Sequence, residues 1–145
     1  MSSSMKIKAV TAGLTSMLVC ISLSSSCQVY KYKAFQFTME VYDQNGKDTY
    51  PNKWDSTDIL VVINSDKNKL KIYSKQEQDI DMVSLISNNE DEHENTLLVY
   101  KCVDDDGKDC RVKIYLFKDQ TQLHKETLTV QYSDMAFIYR LRNDD

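Results

Sequence analysis

From residue 35 onward, apolar and polar side chains alternate with a period of two, and no apolar stripe at helical spacing interrupts them. Successive side chains of an extended strand point to opposite faces, so this pattern demands half-buried strands rather than helices. The alternation predicts strands near 35–43, 58–65, 69–75, 78–87, 96–104, 110–118, 125–133 and 135–142. Each is rich in Val, Ile, Thr, Tyr or Phe and is bounded by Asn, Asp, Gly or Ser. Such strands, about ten residues apart, predict an all-β antiparallel meander of about eight strands forming a small barrel or sandwich.

One hairpin is specified most sharply. Leu98, Tyr100 and Cys102 alternate with Val99, Lys101 and Val103, and Cys110, Val112, Ile114 and Leu116 alternate with Arg111, Lys113, Tyr115 and Phe117. A three-residue loop at Asp105-Asp106-Gly107, with Gly107 left-handed, sets Cys102 opposite Cys110, Tyr100 opposite Val112 and Leu98 opposite Ile114. A two-residue loop would set Cys102 against Arg111 and Tyr100 against Lys113. Only the first register keeps one face apolar, so that face is the expected core. It also brings Cys102 and Cys110 within reach of a disulfide, with two buried thiols as the alternative. In the last hairpin, Leu128, Val130 and Tyr132 face inward and Met135, Phe137, Tyr139 and Leu141 return. Ile59 to Ile63 is apolar on both faces. It is either covered on both sides or meets a partner or the N-terminal segment.

The composition removes several function classes. Three glycines (Gly13, Gly46, Gly107) make neither a dinucleotide fingerprint nor a phosphate loop. Two separated histidines, His93 and His124, leave no H-E-x-x-H and no multi-histidine metal site. No serine sits in G-x-S-x-G, so no catalytic motif and no cofactor is implied. Asp104 to Asp109 lacks the spacing of an EF-hand, because position twelve is Tyr115; the run reads as a turn and not a metal site. Asn88 to Asn95 reads as a solvated loop, and His124 as a surface side chain.

The N-terminus reads as an address. Residues 1–26 hold no acid; Lys6 and Lys8 precede the apolar run Ala9–Leu23. That run is shorter than the roughly 20 residues of a membrane span and has the three-part plan of a signal peptide. Leu23-Ser24-Ser25-Ser26-Cys27 resembles the lipobox of bacterial lipoproteins, with the leucine four places before Cys27 where the common pattern has three. The expectation is therefore a lipoprotein-type signal over 1–26 with acylation at Cys27, and plain secretion as the alternative. A tether follows over 27–34, then one domain over 35–145. The anchor would hold the protein at the cell envelope, in the periplasm or outer membrane. Loss of residues 1–26 removes two lysines and no acid, moving the formal charge from −4 to −6. No basic stripe remains, so nucleic acid is not an expected partner.

Aromatic residues are the remaining candidates for binding. Tyr73, Tyr115 and Phe117 fall on the expected outer face, where an aromatic patch suits a glycan or a protein. Trp54 sits in a loop entering the apolar strand, either as a plug at one barrel end or as a stacking surface for a ligand. The stretch Lys53-Trp54-Asp55-Ser56-Thr57-Asp58-Ile59-Leu60-Val61-Val62-Ile63-Asn64, with Leu70-Lys71-Ile72-Tyr73-Ser74 and the hairpin Asp104 to Cys110, resembles small secreted proteins and lipoproteins of gut Bacteroidota. That resemblance spans roughly residues 35–142. It implies a lipocalin-like β-barrel and transfers no catalytic residue. The expected role is a lipid-anchored binding protein for a small apolar or amphipathic ligand. The runner-up is an accessory or inhibitor protein gripping a protein partner through an exposed strand or aromatic face.

Overall fold

The computed structural model describes residues 28–45, 53–118 and 126–144. They form eight antiparallel strands: β1 Val29–Val41, β2 Asp55–Asn64, β3 Lys69–Ile72, β4 Gln78–Glu90, β5 Thr96–Asp104, β6 Asp109–Leu116, β7 Glu126–Gln131 and β8 Met135–Asn143. Each pairs with its sequence neighbours, and β1 pairs with β8, so the meander closes into a barrel. Closure leaves no strand without two neighbours, which removes most of the aggregation liability of sheet edges. The all-β architecture is the one the alternation demands.

The β5–β6 register matches the apolar-face argument: Cys102 lies opposite Cys110, Tyr100 opposite Val112 and Leu98 opposite Ile114. Gly107 holds φ of 81°. The interior is filled by Ala34, Val61, Leu70, Ile72, Ile80, Val112, Leu128, Val130, Tyr139 and Leu141, all 0–1% exposed. An eight-stranded barrel is narrow enough for its own side chains to fill, and this one is filled through its middle.

Three expectations are corrected. The segment read as a tether is strand: β1 begins at Val29 and pairs through Val29–Ala34 with β2. Backbone hydrogen bonding to β2 and β8 recruits it, which its tyrosine–lysine alternation permits. It meets β2 along an edge and does not cover the outer face. There Leu60 and Val62 are partly buried beside their cross-strand neighbours Lys33, Lys31 and Lys71, whose aliphatic stems shield apolar surface.

The second correction concerns the disulfide. Cys102 and Cys110 are opposed, yet both are free, buried thiols. The reason lies in the alternation of the ladder. Asp104 N–H donates to the Lys108 carbonyl (2.9 Å), so pairs two residues along, including Cys102–Cys110, are hydrogen-bonded pairs. Such pairs hold Cβ atoms towards the wide end of about 4.5–5.5 Å, whereas a disulfide needs about 3.8 Å. Burial pushes the Cys102 thiol up to about 11 and the Cys110 thiol up to about 12, so neither is an activated nucleophile.

The third concerns Trp54. It is not a plug. Its ring lies 3.8 Å from the Arg140 guanidinium carbon, and Arg140 faces outward between inward Tyr139 and Leu141. Arg140 in turn donates to Gln36 Oε1 (2.8 Å). The Thr38 hydroxyl donates to the Lys53 carbonyl (2.7 Å), so the segment entering β2 lies against the outside of β1 and β8. The signal segment, Cys27, Gly46 and His124 lie outside the described residues.

Candidate functional site

β1 carries one irregularity, and the site depends on it. The register of β1 shifts between Ala34 and Gln36 against both neighbours: Phe35 is an extra, bulged residue against β8, where it lies under Arg142, and it faces two residues of β2, Thr57 and Asp58. Without the bulge, inward Ala34 would put Phe37 outside, because side chains alternate strictly. With it, Phe37 turns in and packs against Tyr139 (ring centroids 5.3 Å apart) and Phe137 (6.3 Å). Phe137 meets Tyr132 edge-on at 6.4 Å. The strand ends of β1, β7 and β8 thus contribute an aromatic wall.

That wall belongs to an open-mouthed cavity of about 1330 Å³ at one end of the barrel. Ile59 and Met135 extend the apolar lining. The rim comes from the β3–β4 connection at 73–77, the β5–β6 turn and the β7–β8 turn at 133–134. The volume exceeds the roughly 300–1,000 Å³ of ordinary small-molecule sites, and the mixture of apolar wall and polar rim is typical of them.

Polar groups on the cavity are anchored by the fold. Gln78 Nε2 donates to the Tyr139 hydroxyl (3.1 Å), and burial pushes that phenol up to about 12. Gln78 Oε1 is buried and has no hydrogen-bond partner among the described residues. The Tyr132 hydroxyl donates to Asp104 Oδ2 (2.9 Å). Asp104 Oδ1 accepts from the backbone N–H of Asp106 (3.0 Å) and of Lys108 (2.8 Å). Partial burial works against ionisation of Asp104, but the Lys108, Tyr132 and Asp106 donors outweigh it and hold its carboxyl below the usual range. Asp104, Asp105 and Asp106 bring their carboxylates within 4.8 Å of one another. The turn itself accounts for that proximity.

The structure separates the aromatic candidates. Tyr73 stands on the cavity rim, 42% exposed, with Lys71 Nζ 5.1 Å from its ring centroid. Tyr115 and Phe117 do not reach the cavity. They pack edge-to-face at 4.7 Å on the outer face, and the Tyr115 hydroxyl donates to Asp91 Oδ2 (2.6 Å). Asp91 also accepts from His93 and Asn95, so Asp91–Asn95 is a hydrogen-bonded turn, while Asn88, Asn89 and Glu90, expected in a loop, are paired with β5 as the end of β4. His93 is exposed there, 3.6 Å from Glu92.

Phe37 was invisible as a site residue because its facing depends on the bulge. Phe137 and Tyr139 were legible as inward residues. Their place at a mouth follows from adjacency to the Ser133-Asp134 turn.

Comparison with protein families, with curated proteins and with solved structures finds no match. The chemistry of the cavity therefore carries the functional reading.

Proposed function

We propose that the protein is a binding module that holds a small amphipathic molecule at the mouth of its barrel, carried at the cell envelope by acylation of Cys27. The observation that supports it is the open cavity floored by Phe37, Phe137 and Tyr139 above a sealed core. An apolar chain laid on that wall leaves water, and each buried CH₂ contributes about 0.8 kcal/mol. Polar rim groups meet the other end of the molecule. The family resemblance and the lipobox-like Leu23–Cys27 segment support an envelope location, and Cys27→Ala abolishes palmitate labelling on this reading. Labelling that persists in that variant overturns the anchor.

Thermal melting of the full chain with a panel of single-chain amphiphiles and short glycans tests the cavity. A pocket binder is stabilised by some member, with a shift that grows with concentration. If no member shifts the melting temperature, the cavity reading is overturned.

A second reading rests on a different observation. β3 pairs with β4 only through Gln78–Asp81, and beyond it Val83, Leu85 and Ile86 are 59%, 49% and 50% exposed. An extended partner segment adds to such an edge through main-chain hydrogen bonds. On this reading an accessory protein's partner docks on β4, away from the mouth, and such a protein gives no shift with amphiphiles.

A further inference from the structure

We propose that the mouth selects an amphipathic ligand whose head is a protonated amine, an inference that rests on the cavity being the binding site. Seven acidic residues and two lysines line the cavity. Two of the acids have cations beside them: Asp58 is 3.2 Å from Lys33 Nζ and Glu77 is 3.9 Å from Lys71 Nζ. Asp105, Asp106 and Asp134, from two neighbouring turns, are exposed and make no salt bridge among the described residues. Asp104 stays ionised beneath them through its three hydrogen bonds.

The aromatic wall and the carboxylate rim belong to one cavity, so a chain on Phe37 and Phe137 carries its head group towards the aspartates. A carboxylate or phosphate head there meets like charge; an ammonium meets opposite charge from several directions. A cleft with an excess of one sign of charge, here seven acids against two lysines, also raises the local concentration of the opposite ion.

Titration of the full chain with decylammonium, decanoate and decyl maltoside, each below its micelle concentration, tests this. The expected result is decylammonium binding about tenfold or more tightly than decanoate, because each nearby carboxylate attracts the ammonium and repels the carboxylate even in a watery rim. The preference shrinks as salt is raised from about 0.05 to about 0.5 M. The triple variant Asp105→Asn, Asp106→Asn, Asp134→Asn brings decylammonium down to the affinity of the neutral glycoside. Decanoate binding as tightly as decylammonium overturns the amine selection and leaves the cavity as an amphiphile site. Binding of none of the three overturns the cavity reading itself.

Discussion

The turns on either side of β5 share one geometry and part company at the left-handed position. In each, an aspartate precedes a three-residue loop: Asp91 before Glu92-His93-Glu94, and Asp104 before Asp105-Asp106-Gly107. Each aspartate N–H donates across the loop, Asp91 to Asn95 O and Asp104 to Lys108 O, both at 2.9 Å. Each carboxylate accepts from the backbone two and four residues on, and each receives a tyrosine hydroxyl, from Tyr115 or Tyr132. The third loop residue is left-handed in both, but it is Glu94 (φ 62°) in one and Gly107 (φ 81°) in the other. One turn therefore uses the residue that adopts this conformation without steric cost, and the other tolerates strain. The unstrained turn borders the cavity, while the strained one caps the far end of the β4–β5 hairpin.

Removing the aspartates should have the largest effect. Asp104→Ala leaves two backbone donors and the Tyr132 hydroxyl without their acceptor. About 1–2 kcal/mol of stability is expected to go, after discounting for solvent at a partly exposed turn, with a fall of several degrees in Tm. Asp91→Ala acts in the same direction but less, because water replaces its partners freely. If Asp91→Ala lowers Tm by the larger amount, the parallel between the turns fails.

The left-handed positions give a smaller and opposite pair of effects. A Cβ at Gly107 meets nothing within 4 Å, so Gly107→Ala loses only the backbone term, about 1 kcal/mol. Glu94→Gly relieves a similar strain but gives up the ion pair with Lys118 and adds unfolded-state freedom, leaving a gain below about 1 kcal/mol. Equilibrium denaturation of the two variants reads both signs. Destabilisation by Glu94→Gly would show that the Lys118 contact outweighs the strain.

Acid sharpens the comparison with the least effect. The Tyr115 hydroxyl, first among its donors, lowers the Asp91 carboxyl to about 2, and Asp104 is also depressed. A depressed carboxyl contributes stability above its unfolded value, near 3.9, and loses it as pH falls through the folded value. Protection of the His93, Asn95, Asp106 and Lys108 amides, measured against the intrinsic exchange rate at each pH, therefore falls between about pH 4 and pH 2. Asp91→Asn and Asp104→Asn remove that pH dependence at their own turns. Protection that still falls with acid in both variants would place its cause elsewhere.

These turns also show what was legible beforehand. Gly107 after three aspartates announces its turn, and with it the β5–β6 register and the core face. Nothing about Glu94 announces a left-handed residue, so the equivalent turn reads only as a polar loop. The same limit applied to the cysteines. Register set them opposite one another, but the hydrogen-bonding class of their pair is too wide for the expected disulfide. Trp54 carried no facing signal at all, since it precedes the strand, and the outward Arg140 claims its ring.

The sequence by itself determined the eight-stranded antiparallel meander and which face of β5, β6, β7 and β8 is buried, though not where β1 begins or β4 ends. Period-two alternation and turn chemistry are local, and they survive without knowledge of distant contacts. Only the tertiary structure decided the closure of β1 on both β2 and β8, the bulge at Phe35 that turns Phe37 inward, and the meeting of an aromatic wall with an aspartate rim. Those depend on pairing between segments about a hundred residues apart, where a one-residue shift in register reverses every facing beyond it.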